Sequence, residues 1–199
     1  MFNAVVFTPG RTGSTLIATN LRRQFNTTNV IHTHNPLYRP LHKDFYAVVS
    51  TRDNFDAIMS AFVVSKINES QYTNKEITPF CVSTTIFDGT YNYYKSFYKL
   101  LNKELYKEVI EISYEDLISD PMYLFSKFGV DAPIVESMKR FPYRYQNLII
   151  NTDELRDYYK KRELNDFDPE IVNSVKHSIE DDLNDIKQNH NGNRLGKML

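Results

Sequence analysis

Four short runs of the chain are apolar with little polar alternation: Ala4 to Thr8, Val30 to Thr33, Phe45 to Thr51 and Val109 to Ser113. Runs rich in Val and Ile, without a polar face, are what strands buried on both sides of a parallel sheet look like. Between them the apolar positions recur every three or four residues, the period of a helix with one buried face. Ser14 to Gln24 follows a glycine-containing loop. Asn54 to Ile67 follows "STRD", with Asp53 as N-cap and Asp56 three residues on, in a variant of the capping box. Thr85 to Leu105 places Phe87, Tyr91, Tyr94, Tyr98 and Leu101 on one stripe. That stripe predicts a helix packing an aromatic face on the sheet, the usual role of periodic rings.

The last third reads as more helical. Asp131 before Ala132-Pro133, and Asp168 before Pro169, have the form of an N-cap followed by a first-turn proline. Val172, Val175, Ile179, Leu183 and Ile186 make an apolar stripe, whereas Tyr158 to Asp168 is charged and reads as a solvated connector. No repeat, low-complexity tract or Gly/Pro/Ser linker interrupts the chain. Strand, loop and helix in alternation predict an α/β domain with a central, mainly parallel sheet and helices on both faces, a three-layer sandwich with a helical C-terminal third. Its 199 residues are enough for one well-buried core, so a single domain over 1–199 is expected.

Composition adds mostly exclusions. Lys plus Arg (24) nearly balances Asp plus Glu (25), which gives no support to nucleic-acid binding. The single cysteine, Cys81, has no internal disulfide partner, and no apolar stretch approaches the length of about 20 residues that spans a bilayer. Met1 to Phe7 lacks the basic and apolar regions of a signal peptide, so a cytoplasmic location is expected and no membrane partner. Fourteen Tyr and thirteen Phe with no Trp point to a core of rings, many with polar tips.

In an open α/β sheet ligands sit at the carboxyl ends of the strands, and three of these four ends carry unusual chemistry. After the first comes "TPGRTGST", where a helix opening at Gly13 and Ser14 leaves backbone N–H groups free for an anion and Arg11 adds a cation. It is not a Walker A loop: no lysine follows Gly13, and Thr8 stands where that motif has its first glycine. Alone, it reads either as an anion cradle or as a plain strand-to-helix connection. After the second comes "IHTHNP", whose His32 and His34 share one face of an extended segment. No cysteine or carboxylate lies near to complete a metal site, so general base or anion contact is the sharper reading. After the third comes "VVSTRDNFDAIMSAF", with Arg52 at the strand end and Ser60 one turn beyond Asp56. A guanidinium contacts planar or tetrahedral anions through two N–H groups at once, although Arg52 paired with Asp53 or Asp56 is the structural alternative.

In this order the loops resemble the sulfotransferases that use 3′-phosphoadenosine 5′-phosphosulfate (PAPS), which implies a P-loop NTPase-like fold. "PGRTGSTL" (Pro9 to Leu16) is similar to their phosphosulfate loop, P-K-S-G-T-T or P-R-S-G-S-T. "HTHNPL" (His32 to Leu37) is similar to the K-T-H-x-P segment that holds the catalytic histidine of cytosolic members. "VVSTRDNFDAIMSAF" (Val48 to Phe62) resembles their 3′-phosphate segment R-[DN]-P-x-D-x-x-x-S, and "ISYEDLISDP" (Ile112 to Pro121) their Y-E-D-L-x-x-D-P stretch. The resemblance covers roughly residues 3 to 121.

The resemblance implies that Arg11 contacts the phosphosulfate at the leaving oxygen. It implies that Thr12, Gly13, Ser14 and Thr15 offer donors to the 5′-phosphate, that Arg52 and Ser60 hold the 3′-phosphate, and that Tyr114 lies beside the adenine. His34 matches the base that takes the acceptor proton. His32 stands where cytosolic members have a lysine beside the transferred group, Asn54 replaces their proline, and Leu16 takes the place of an adenine-stacking tryptophan in some members. Arg194 and Lys197 in "NGNRLGK" resemble a further 3′-phosphate segment.

The implied reaction is in-line sulfuryl transfer to a hydroxyl or amine, leaving adenosine 3′,5′-bisphosphate, with no metal required. The acceptor is expected to be a small molecule or a glycan, walled by Asn68 to Thr84 and Phe141 to Arg156. So short a chain also admits a homo-oligomer that completes the acceptor site. Two other readings stand beside this one: a small P-loop kinase of a nucleotide or metabolite, and a nucleotide-binding module without catalysis.

Overall fold

Ala4–Phe7, Val30–Thr33, Tyr46–Thr51 and Glu108–Ser113 form strands β1 to β4. They hydrogen-bond in the order β2-β1-β3-β4, every pair parallel. The structure is a computed structural model that describes residues 1–120, 122–131, 148–163 and 176–177. The chain divides into two compact units, Met1–Asn165 and Asp166–Leu199, and every element named below lies in the first.

The pleat sends successive side chains of each strand to opposite faces. On one face Ala4, Val6, Val48, Ile110 and Ile112 bury against Ile17, Ala18 and Leu21 of α1 (Ser14–Gln24). Leu117 of α4 (Tyr114–Ser119) and Leu124 and Phe125 of α5 (Met122–Ser126) close the same layer. On the other face Val5, Phe7, Ala47 and Val49 meet Phe97 of α3 (Thr84–Leu100), together with Leu101 and Tyr106. A third cluster packs α2 (Asn54–Thr73) and α3 with α6 (Thr152–Glu163), around Phe55, Ile58, Phe87, Tyr91 and Leu155. Phe87 and Phe97 are fully buried. Each such ring contributes roughly 1.5–3 kcal/mol, so α3 is held firmly at both clusters.

Local chemistry sets the boundaries. The Asp53 side chain accepts from the Asp56 amide at 2.9 Å, so α2 starts at its expected cap. It runs past Ile67 to Thr73 and ends on Asn74 at φ 53°. The polar run Asn68–Gln71 that resembles a loop is the solvated side of a longer helix, where Lys66 pairs with Glu69 at 2.6 Å. α3 stops at Leu100, five residues before the expected end, because Leu101 turns extended and Asn102 caps a separate 3-10 turn, Lys103–Leu105.

The expected connector from Tyr158 is the last part of α6 instead. Leu155, Tyr158, Tyr159 and Arg162 fall at helical spacing; Leu155 is fully buried and both tyrosines pack on the third cluster. Tyr158 Oη donates to Asp88 Oδ2 at 2.7 Å and Arg162 Nε to Asp88 Oδ1 at 3.2 Å. Tyr91 Oη donates to Glu163 Oε1 at 2.7 Å, and Lys95 Nζ reaches the same oxygen at 3.2 Å. The charges that suggest a solvated connector are thus divided between an outer face and ties to α3. Residues 164–168 of that stretch, the Ala132-Pro133 and Pro169 helix starts, the Val172–Ile186 stripe, Arg194 and Lys197 lie outside the described residues. Among the described residues no helix is long and apolar enough to cross a membrane.

Candidate functional site at the strand ends

The strand order locates the crevice. From β1 the chain crosses to β2 on one side, and from β3 to β4 on the other, so the carboxyl ends of the adjacent strands β1 and β3 flank a topological switch point. Such points are where open α/β sheets bind ligands. The loop after β1 and the turn from β3 into α2 meet there.

The first loop is shaped by backbone that L residues avoid. Gly10, Arg11 and Gly13 have φ of 115°, 57° and 82°. For Arg11 the left-handed conformation costs about 1–2 kcal/mol, which surrounding bonds must offset. Thr8 Oγ1 accepts from the Gly10 amide at 2.9 Å and lies 2.6 Å from Thr12 Oγ1. Ser50 Oγ of β3 lies 2.7 Å from Thr12 Oγ1 and also donates to the Thr12 carbonyl. Thr8, Thr12 and Ser50 are buried. The Thr12 hydroxyl is therefore turned into the fold and braces the loop; only its backbone can meet a ligand. At Gly13 a Cβ would stand 2.8 Å from Tyr114 Cδ2, so the bare glycine lets the loop lie against that ring. Gly13 is also the N-cap of α1, and no side chain caps the helix there. Its first-turn amides are left for solvent or an anion.

Cations converge on this end. Arg11 Nε donates to Ser60 Oγ at 3.2 Å. Arg52 Nη1 donates to the Arg11 carbonyl at 3.0 Å, and its guanidinium carbon lies 4.4 Å from the centroid of the Tyr114 ring. A cation–π contact and a backbone bond thus hold the guanidinium in place. Among the described residues neither Arg11 nor Arg52 has a carboxylate within ion-pair distance. The structural alternative for Arg52, a pair with Asp53 or Asp56, is not what forms: Asp53 caps α2, and Asp56 lies 4.0 Å from Arg156.

The histidines adjoin this crevice from β2. His32 and His34 lie edge to face with ring centroids 4.9 Å apart. His32 Nε2 shares a hydrogen bond of 2.9 Å with Ser14 Oγ, so Ser14, buried at the start of α1, reaches towards the imidazole. Burial pushes the His32 pKa below the usual histidine value, and the nearby His34 and Arg22 add to the effect. His32 is therefore neutral at pH 7, unlike the lysine of the family pattern. His34 is exposed, and its Nδ1 lies 3.0 Å from the Thr8 carbonyl oxygen. A carbonyl only accepts, so Nδ1 carries the hydrogen. The neutral ring then keeps its lone pair on Nε2, which has no hydrogen bond among the described residues.

The His32 shift has a consequence for stability. In the unfolded chain an ordinary histidine gains its proton near pH 6.5, while folded His32 resists it. The unfolded state binds more protons in that range, so stability is lost as pH falls below about 6.5. Thermal unfolding between pH 7.5 and 5.5, above the carboxylate range, is expected to show a falling Tm. His32→Gln, which retains a polar group near Ser14, should flatten the slope; an unchanged slope would assign it to other groups.

Thr15 is exposed on the first turn of α1 and Tyr114 is half-buried beside Gly13. The structure thus brings Arg11, Gly13, Ser14, Arg52, Ser60 and Tyr114 to one end, with His32 joined through Ser14 and His34 through Thr8. Of the expected acceptor walls, Asn68–Thr73 is helical in α2 and Thr152–Arg156 opens α6, while 141–147 lies outside the described residues. Sequence reasoning missed the role of α3. Tyr93 Oη donates to the His34 carbonyl at 2.8 Å, Tyr94 Oη to the Gly10 carbonyl at 3.1 Å and Tyr98 Oη to the Ser50 carbonyl at 2.6 Å. Their only sequence signal is a surplus of tyrosine over phenylalanine on a ring-rich helix. No family model, curated protein or solved structure matches the chain.

Proposed function

We propose that this protein is a PAPS-dependent sulfotransferase that moves a sulfuryl group to a hydroxyl or amine acceptor. The observation that carries the reading is the pair of guanidiniums, Arg11 and Arg52, at the β1/β3 switch point beside the uncapped start of α1. Two cations 41 residues apart in sequence, tied through a backbone carbonyl and lacking carboxylate partners among the described residues, suit a ligand with more than one anionic group. The family motifs support the nucleotide, and the P-loop-like relation of the fold belongs to the same proposal.

PAPS supplies an activated sulfuryl group on a phosphate leaving group. Arg11 and the α1 amides stabilise charge at the bridging oxygen and 5′-phosphate, while Arg52 and Ser60 hold the 3′-phosphate. Tyr114 borders the adenine. His34 Nε2 takes the proton as the acceptor oxygen or nitrogen bonds to sulfur and the bridging S–O bond breaks, releasing adenosine 3′,5′-bisphosphate. His32, neutral, contributes a hydrogen bond through Ser14 and no full charge. That neutral His32 favours one rival reading, a module that binds the nucleotide without turnover.

Thermal unfolding in EDTA with adenosine 3′,5′-bisphosphate, against ATP with Mg²⁺, tests the reading. At 100 times its dissociation constant a ligand stabilises by about 2.7 kcal/mol, which shifts Tm by roughly 5–10 °C for a chain of this size. The bisphosphate should produce this shift. A shift with ATP and Mg²⁺ alone would overturn the sulfotransferase in favour of a kinase, and bisphosphate binding without sulfate transfer would favour the non-catalytic module.

A further inference from the structure

We propose that Tyr93 is a positioning residue for His34, and that α3 carries a row of tyrosines which set the geometry of the strand-end loops; this rests on the sulfotransferase reading for its consequence on turnover, but not for the positioning itself. Tyr93 Oη donates to the His34 carbonyl at 2.8 Å, while the His34 imidazole donates through Nδ1 to the Thr8 carbonyl at 3.0 Å. The histidine is thus held by its backbone from one side and by its ring from the other. Neither bond uses Nε2. One bond fixes where the Cα sits and the other fixes the ring's rotation and tautomer, which is what a base needs for its lone pair to meet an acceptor reproducibly.

The neighbouring hydroxyls follow the same design. Tyr94 reaches the Gly10 carbonyl of the first loop, and Tyr98 reaches the carbonyl of Ser50, whose own hydroxyl bonds Thr12 of that loop. Phe97 lies between them in the sequence and is buried in the sheet-side cluster, so the helix that presents the hydroxyls is anchored by a ring that carries none. A hydrophobic role alone would be served by phenylalanine at each of these positions. Burial pushes the Tyr93 phenol up to about 12, so the hydroxyl stays protonated and able to donate at neutral pH and well above it.

Tyr93→Phe removes one oxygen and keeps the ring that packs edge-on against Tyr94 and Phe97 at 5.9 Å. With PAPS and 4-nitrophenol as a simple hydroxyl probe, kcat is expected to fall about tenfold while KM for PAPS stays within about twofold, the split expected when transition-state geometry and not donor binding is lost. Tyr106→Phe is the comparator. Its hydroxyl donates to the Tyr38 carbonyl at 2.7 Å, so it loses a bond of the same kind in a residue with no contact to His34, and both constants should hold. A second readout needs no turnover. Imidazole ¹⁵N shifts of His34 should report the Nδ1–H tautomer in wild type and Tyr106→Phe, and a tautomer mixture in Tyr93→Phe, where the freed His34 backbone moves the ring and loosens its bond to the Thr8 carbonyl. No sulfate transfer by wild type, together with this tautomer change in Tyr93→Phe, would overturn the proposed function and support the positioning. Folded Tyr93→Phe with unchanged His34 shifts, or with kcat reduced no more than in Tyr106→Phe, would overturn the positioning.

Discussion

His34→Ala is expected to cut sulfate transfer by orders of magnitude while leaving the affinity for adenosine 3′,5′-bisphosphate within about twofold of wild type, since a base that meets only the acceptor adds to the rate and not to donor binding. A positioned general base is typically worth about 10² to 10⁴ in rate, so residual transfer should sit at that depth below wild type. The geometry motivates the separation. The His34 ring bonds the Thr8 carbonyl, and Nε2 makes no hydrogen bond among the described residues. Neither Arg11, Arg52 nor Ser60 hydrogen-bonds it, so the anion-binding groups keep their mutual contacts when it is removed. Transfer from PAPS to a phenol, measured beside calorimetric titration with the bisphosphate, checks both halves. Normal turnover in the alanine variant would move the base to a carboxylate.

Arg52→Ala is expected to show the opposite pattern, with bisphosphate binding weakened by roughly ten- to a hundredfold. A hydrogen bond to a charged group contributes about 1.5–3 kcal/mol, and each 1.4 kcal/mol is a factor of ten in affinity. The Arg52 side chain is preorganised, since its guanidinium lies 4.4 Å from the Tyr114 ring centroid and bonds the Arg11 carbonyl at 3.0 Å. Little side-chain freedom remains to be lost on binding. Arg52→Lys should recover little, because an ammonium lacks the forked donors of a guanidinium. Removing the Arg52–Arg11 bond also relaxes a loop in which Arg11 holds φ 57°, so some loss of stability should accompany the loss of affinity. Unaltered calorimetric affinity in Arg52→Ala would place the 3′-phosphate elsewhere.

Much of this arrangement is readable along the chain because its causes are local. The parallel strands announce themselves as apolar runs, and each observed strand lies within one residue of its expected bounds. Asp53 caps α2 through an amide three residues on, a contact wholly contained in the sequence "DNFD". The first loop is conspicuous for the same reason: Gly10, Gly13 and Arg11 crowd one strand end, and a short glycine-rich turn before a helix has few conformations open to it.

Where local pattern fails, the partner lies far away. The part of α6 from Tyr158 on reads as a solvated connector because its charges outnumber its apolar residues, and only packing on α3 shows that Asp88 and Glu163 have tyrosine and cationic partners across the interface. Thr12 has a hydroxyl suited to a phosphate, but Ser50, 38 residues on, draws it inwards. His32 stands where the resembled family has a lysine, and burial, with His34 and Arg22 nearby, disfavours a charge on it.

The sequence by itself determined that this is an α/β chain with a parallel sheet, and which residue types stand at each strand end, because periodicity, capping and glycine turns act over a few residues. Only the tertiary structure decided which ends face one another. The order β2-β1-β3-β4 makes β1 and β3 neighbours with diverging connections, so Arg11 and Arg52 meet, and Tyr94 of α3, 84 residues after Gly10, supplies the hydroxyl that holds that loop. Contacts of that range follow from strand order and packing, which no local pattern encodes.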